Sequence, residues 1–215
     1  MSDTETNPVN LNIPNSLTAL RLVLSVVMFV ALALDAYWTA TVLFVVAAGT
    51  DWMDGYWARK YHQVTTLGRI IDPFADKVII CGTFVFLAAE PLMAAVPWGL
   101  RAWMVVVIVS RELLVTALRG LLEQRGRDFS AKMSGKLKMV LQCVSAVACL
   151  VYLAYAGPAF TGSAAASSPL PAEAGSLAPD WVWLTLVVST WAAVVLTIHS
   201  GLIYIIAAAR MLRGR

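Results

Sequence analysis

Residues 37–60 read YWTATVLFVVAAGTDWMDGYWARK. The first half is an apolar run, and its helical pattern carries straight into a second half with four charged residues and two tryptophans. That change of character falls where a spanning helix would leave the hydrocarbon of a bilayer. The rest of the chain fits the same reading. Of its 215 residues, 60% are apolar and only 13% charged, with a mean hydropathy of +0.75. Soluble domains hold about 45–50% apolar and about 25% charged residues. The composition therefore excludes a soluble globular domain, and it is too apolar for a disordered chain and too irregular for a fibrous one. At about 20 residues per helical span, the length accommodates about five to seven spans in one compact bundle.

Working outward from residues 37–60, the first span is expected over Ser16–Leu34. Before it, Val9, Leu11 and Ile13 with Pro14 would form a short interfacial segment within residues 1–15. A third span begins near Pro73, a fourth covers Trp98–Leu122, a fifth Met133–Tyr155 and a sixth Trp181–Ala209. Residues 157–180, rich in Gly, Ala, Ser and Pro, read as a loop. The expected fold is thus an all-α integral membrane protein, a single domain with a six-transmembrane-helix bundle over residues 16–209.

Six spans place fourteen Lys and Arg on one side, among them Arg59, Lys60, Arg69, Arg125 and Arg127, and leave Arg101 on the other. By the positive-inside rule the charged side is cytoplasmic, and so are both termini. The loop at 157–180 then lies outside, in keeping with its Glu173 and Asp180 and its lack of Lys and Arg. The expected location is the inner, cytoplasmic membrane, as a multi-pass protein with no nucleic-acid partner. The acidic N-terminus has neither the positive n-region nor the cleavage site of a signal peptide and is expected to be retained. Cys81, Cys143 and Cys149 lie in apolar stretches without metal-site spacing and read as small buried residues.

Carboxylates at the ends of spans are costly unless paired, hydrated or bound to a cation. Asp51 and Asp54 are three residues apart, and Asp72 and Asp76 four, so each pair projects from one side of its helix. If the two helices are antiparallel across a cytoplasmic turn, the pairs converge. Four hard oxygen donors there suit two divalent cations, Mg²⁺ or Mn²⁺, that also take substrate phosphate oxygens. Gly55, Ala58 and Gly68 leave room for a ligand or a neighbouring backbone, and Arg59 stands ready for a carboxylate or a phosphate.

The run Asp51-x2-Asp54-Gly55-x2-Ala58-Arg59-x8-Gly68-x3-Asp72-x3-Asp76 resembles the complete signature of the CDP-alcohol phosphotransferase family. The resemblance implies a six-helix membrane enzyme, usually a homodimer, that uses two divalent metals to bind the pyrophosphate of a CDP-linked lipid and replaces CMP by an alcohol. By position it makes Asp51, Asp54, Asp72 and Asp76 metal ligands, with Asp76 also the catalytic base. Asp51, Asp54, Gly55, Ala58, Arg59, Thr66, Gly68 and Asp72 would shape the CDP site. A carboxylate beside two dications is a weak base, so metal polarisation of the incoming hydroxyl must share the work.

The acceptor follows from the other charges on that side. Arg111, Arg119 and Lys136 lie in or beside apolar spans, where an anionic ligand would relieve the cost of burying them. Arg111 and Arg119, eight residues apart, fall on nearly one face of a helix. They suit a phosphate on the acceptor, hence glycerol 3-phosphate rather than choline or ethanolamine. The segments NIPNSLTALRL and SRELLVTALRG…GKLK further resemble the branch of the family that joins CDP-diacylglycerol to glycerol 3-phosphate, which adds Thr18 and Arg21 to the acceptor site. Met139 departs from the Thr that often follows the Gly-Lys-x-Lys of that branch.

Alternatives stay open at this point. Within the family the acceptor could be inositol phosphate or phosphatidylglycerol, the latter making a cardiolipin synthase, and Asp76 could act as a nucleophile in two steps. Outside it, the acids could line a divalent-cation transporter, although such sites usually lie near the bilayer midplane. Plainer roles compete residue by residue. Asp72 before Pro73 also reads as a helix N-cap, and Glu112 as the ion-pair partner of Arg111. His62 reads as a solvated loop histidine, His199 as a hydrogen-bonded structural one, and Trp38, Trp98, Trp181 and Trp183 as interfacial anchors.

Overall fold

The structure, a computed structural model, describes residues 13–61, 66–124, 133–162 and 178–213, with side chains over 19–50, 74–122, 137–157 and 178–211. All regular structure among them is helical: α1 (Ile13–Ala33), α2 (Tyr37–Tyr61), α3 (Thr66–Ala89), α4 (Pro91–Ala95), α5 (Ala102–Gln124), α6 (Met133–Gly162) and α7 (Asp180–Arg213). Six are long and one, α4, is a single short turn-and-a-half. The longest of them is α7, with 34 residues.

The helix ends have local causes. Pro14 sits in the first turn of α1, where its missing N–H has no intrahelical partner to lose. Ile13 and Pro14 are the first residues of α1, while Val9 and Leu11 lie outside the described residues. At the other end, Ala36 N–H donates to Ala31 O at 2.8 Å and Asp35 N–H to Leu32 O at 3.1 Å. With Asp35 at φ 55°, this is the Schellman arrangement, with an aspartate in the left-handed position that glycine usually takes. It turns the chain back within three residues and pairs α1 with α2.

Asp72 does not cap a helix. It lies inside α3, which starts at Thr66 and runs on through Pro73, although proline disfavours helical geometry in the residue before it and removes one backbone bond. The segment between α3 and α5 is broken by α4 and by Trp98, whose φ of 58° is unusual for a bulky residue. Arg101 donates to the carbonyls of Ala94 and, at 3.2 Å, Val96, which closes the end of α4. The fourth long helix consequently starts at Ala102 and not at Trp98. α6 continues to Gly162, past the expected end at Tyr155 and into the expected loop.

Helix α1 packs against both α2 and α3, α6 lies against α2, α3 and α7, and α5 bridges α3 and α7. The main core joins Met28 and Leu32 of α1, Phe44 of α2, Phe84 of α3, Ile108 of α5 and Leu153 of α6. Val115 and Leu122 of α5 form a smaller cluster with Tyr204 and Ala208 of α7. The ring of Phe29 of α1 lies against Gly82 of α3, where an added Cβ would collide with Phe29 Cζ.

Polar side chains lie between the helices and apolar ones face outward. Hydroxyls and amides are buried between helices: Ser145 and Thr190 are bonded at 2.8 Å and Gln142 donates to Thr197 at 3.4 Å, both across α6 and α7. The outer surface carries apolar stripes, on α1 Val23, Val26, Val27 and Val30, on α7 Leu184, Val188, Val195 and Leu202. Among the described residues, two helices hold stretches long and apolar enough to cross a membrane, Leu137–Gly157 and Asp180–Met211, and shorter apolar stretches occupy Ala19–Ala33 and Tyr37–Thr50.

Candidate functional site

The charges that interrupt α3, α5 and α6 meet at one end of the bundle. That end comprises the N-terminal halves of α1, α3 and α6 and the C-terminal halves of α5 and α7, as in helices that alternate in direction. Asp76 of α3 accepts a hydrogen bond at Oδ1 from Arg21 Nη1 of α1. Arg21 is almost wholly buried, at 2% exposed. A guanidinium so placed needs a fixed counter-charge, and Asp76 supplies one. Next along α3, Lys77 is within electrostatic reach of Asp76, Arg111 and Arg119.

A second group of charges ties three helices together. Glu112 of α5 accepts from Lys138 Nζ of α6 and, at 3.4 Å, from its own neighbour Arg111. Glu112 makes its expected pairing with Arg111. Its closer partner is Lys138, a lysine as buried as Arg21, so the carboxylate neutralises two cations and links α5 to α6. The Arg111 guanidinium lies 5.3 Å from the ring centroid of Tyr204 on α7. Its Cγ rests on Gly201, where an added Cβ would come within 3.2 Å.

The buried side-chain donors with no hydrogen-bond partner among the described residues include Arg111 Nε and Arg119 Nε. Buried N–H groups are nearly always satisfied, so each calls for an acceptor that the described side chains do not provide. The site holds Arg21, Lys77, Arg111, Arg119 and Lys138 against Asp76 and Glu112. Among the described residues it has more positive than negative charge, in a low-dielectric setting that favours an anion.

Of the expected site residues, the structure brings Arg21, Asp76, Arg111 and Arg119 to this end. Asp51, Asp54, Gly55, Ala58 and Arg59 fall on the last turns of α2, and Thr66, Gly68 and Asp72 on the first turns of α3. Their side chains, with those of Thr18 and Lys136, lie outside the described residues. Asp76 is the one acid of the set with a described side chain, and no group of three ligating side chains occurs among the described residues. Lys77, Gly201 and Tyr204 were not singled out from the sequence, and Lys138 was not placed in the site. Lys138 had a signal, its position two residues past Lys136 in GKLK. Tyr204 had none, since it interrupts nothing in an apolar helix.

Residues 11–199 match the family model described as CDP-alcohol phosphatidyltransferase. The chain belongs to that family. Among its relatives is a protein of Bacillus subtilis (strain 168) named CDP-diacylglycerol–glycerol-3-phosphate 3-phosphatidyltransferase, 33% identical over 156 residues that make up 66% of this chain and 77% of the relative. Proteins of the same name match from Yersinia pestis (strain Pestoides F), at 32% over 151 residues, 66% of this chain and 78% of the relative, and from Pseudomonas fluorescens, at 37% over 122 residues, 54% and 59%.

Proposed function

We propose that the protein is a membrane transferase that moves the phosphatidyl group of CDP-diacylglycerol to glycerol 3-phosphate, releasing CMP. The observation that carries this reading is the pair of buried guanidinium Nε donors on Arg111 and Arg119, unpartnered among the described residues, in a family where relatives of this chain bear that acceptor in their names. Choline or ethanolamine would bring a cation to this surplus of cations. A phosphate monoester brings two negative charges and three acceptor oxygens.

In this reading Asp51, Asp54, Asp72 and Asp76 hold two divalent cations, Mg²⁺ or Mn²⁺. Carboxylates one helical turn apart on the facing ends of α2 and α3 are the hard oxygen donors these ions take. When bound, the metals neutralise the pyrophosphate and polarise the incoming hydroxyl. Gly55, Ala58, Arg59, Thr66 and Gly68 shape the CDP site, and Thr18 and Lys136 join Arg111 and Arg119 around the acceptor. Arg21 fixes the orientation of Asp76. The acceptor hydroxyl oxygen bonds to the phosphorus bearing diacylglycerol, the bond to the bridging oxygen breaks, and CMP departs with that oxygen. Asp76 receives the hydroxyl proton as the new bond forms.

In this reading the chain crosses the membrane six times, with the site and both termini at the cytoplasmic face and a homodimer as the working assembly. An apolar cavity of about 390 Å³ between α2, α6 and α7, lined by Phe44, Ala48, Val147, Val151 and Trp181, lies along the helix that carries Asp51 and Asp54 and suits an acyl chain.

The test is CMP release by purified protein in detergent with CDP-diacylglycerol and Mg²⁺ or Mn²⁺, comparing glycerol 3-phosphate, inositol phosphate, serine and phosphatidylglycerol. Metal-dependent release with glycerol 3-phosphate alone is expected, reduced about a hundredfold or more in Asp76→Asn. Release with a different acceptor would overturn the acceptor assignment.

A further inference from the structure

We infer that Tyr204, with Gly201, is a positioning residue for the acceptor site: α7 holds Arg111 in the one orientation that presents its Nε edge to the acceptor's phosphate. The inference rests on the reading of Arg111 as an acceptor ligand, and adds to it a helix that lies outside every motif noted in the sequence.

The argument starts from the freedom of an arginine. Its side chain has four rotatable bonds, and a guanidinium facing a doubly charged anion discriminates by geometry only if those bonds are already fixed. Arg111 is fixed at three points. Its stem lies against Gly201, where a Cβ would come within 3.2 Å of Cγ. Its guanidinium lies over the Tyr204 ring at 5.3 Å, and its Nη1 donates to Glu112 at 3.4 Å. Gly201 and Tyr204 are three residues apart on one helix, hence on one face, so they form a groove and a platform in sequence along α7. With one face on the ring and one end on Glu112, Nε remains buried without a partner among the described residues.

Charge points the same way. Arg111 and Arg119 lie within electrostatic reach of each other, an arrangement that is costly without an anion between them. Tyr204 is itself nearly buried, in the small cluster with Val115 and Leu122 that joins α5 to α7. The ring that stabilises the cation from beneath by cation–π attraction is therefore held rigidly by the same two helices.

The experiment measures KM and kcat for both substrates in full-length protein, wild type against Tyr204→Phe, Tyr204→Leu and Gly201→Ala. Tyr204→Phe keeps the ring and is expected to leave the KM for glycerol 3-phosphate within about twofold. Tyr204→Leu is expected to raise that KM about tenfold while kcat and the KM for CDP-diacylglycerol change little. Gly201→Ala moves the arginine stem without touching the ring, so it should raise the same KM even if Tyr204→Leu does not fold. An unchanged KM for glycerol 3-phosphate in both Tyr204→Leu and Gly201→Ala, or equal loss for both substrates, overturns the inference while the proposed reaction stands. A wild type that turns over another acceptor and not glycerol 3-phosphate overturns the proposed reaction, and the acceptor role of Tyr204 with it.

Discussion

At the end of the bundle away from the charged site, one tyrosine hydroxyl meets two carboxylates. Tyr37 Oη is 2.9 Å from Asp35 Oδ1 and 3.2 Å from Glu90 Oε2. A phenol has one proton and can donate to only one of them, so the other contact is favourable when the carboxyl itself is protonated. Burial raises the pKa of Glu90 above its ordinary 4.5, the hydrogen bond from Tyr37 opposes that, and the charge of Asp35 adds to it. The folded state therefore binds a proton more tightly than the unfolded state, and stability falls as the pH rises from about 4.5 through the folded pKa. Glu90→Gln removes this loss. In unfolding measurements in micelles the variant should match the wild type near pH 4 and exceed it near pH 7.5; an equal offset at both would exclude the linkage. Single residues were legible in the sequence where they were out of place in it. Arg111 and Arg119 stand out in an apolar span, and Asp76 closes a spaced motif. The pairing of Arg21 with Asp76 was not legible, because 55 residues separate them and nothing local says which helix α1 will face.

Among the elements, the contact of α1 with α3 depends on a ring lying across a glycine. Phe29 stacks on Phe86 with centroids 5.3 Å apart and planes within 11°, and its tip fills the space beside Gly82. Phe86 holds the ring, so it cannot swing away cheaply. Gly82→Ala should lower stability by about 1–3 kcal/mol through overpacking, and Phe29→Leu added to it should recover part of the loss; a neutral Gly82→Ala would show that the ring yields. The number and order of long helices were readable from hydropathy alone, because each apolar run is long enough to declare itself. Their ends were less so. Pro73 looked like a helix start because proline is favoured there, and the helix instead passes through it from Thr66. Trp98 looked like the first residue of a span because it is apolar, whereas its backbone turns the chain before α5 begins.

For the molecule as a whole, the proposed six-span topology makes a simple demand on access. With Cys81, Cys143 and Cys149 replaced by serine or alanine, a cysteine introduced at Ser168 should react with a membrane-impermeant maleimide in intact cells, and one at Gln63 only after the membrane is opened. Labelling of Gln63→Cys from outside would invert the topology and remove the site from the cytoplasmic face. The helical character of the described residues was the most legible property, since long apolar runs declare it, while the three-dimensional site depends on contacts among α1, α3, α5, α6 and α7 that no single window of sequence contains. One feature of the surface reaches further. The side chains of Val188, Val195 and Leu202 face outward, so in a bilayer they touch hydrocarbon whether the helices are assembled or apart. Separating the helices there would expose little apolar area to water, and it is water at apolar surfaces that gives unfolding its large heat capacity. Stability in the bilayer should then change gently with temperature, without the marked dome of a water-soluble domain, and should rest on the fit of helix against helix at places such as Gly82 and the Ser145–Thr190 hydrogen bond.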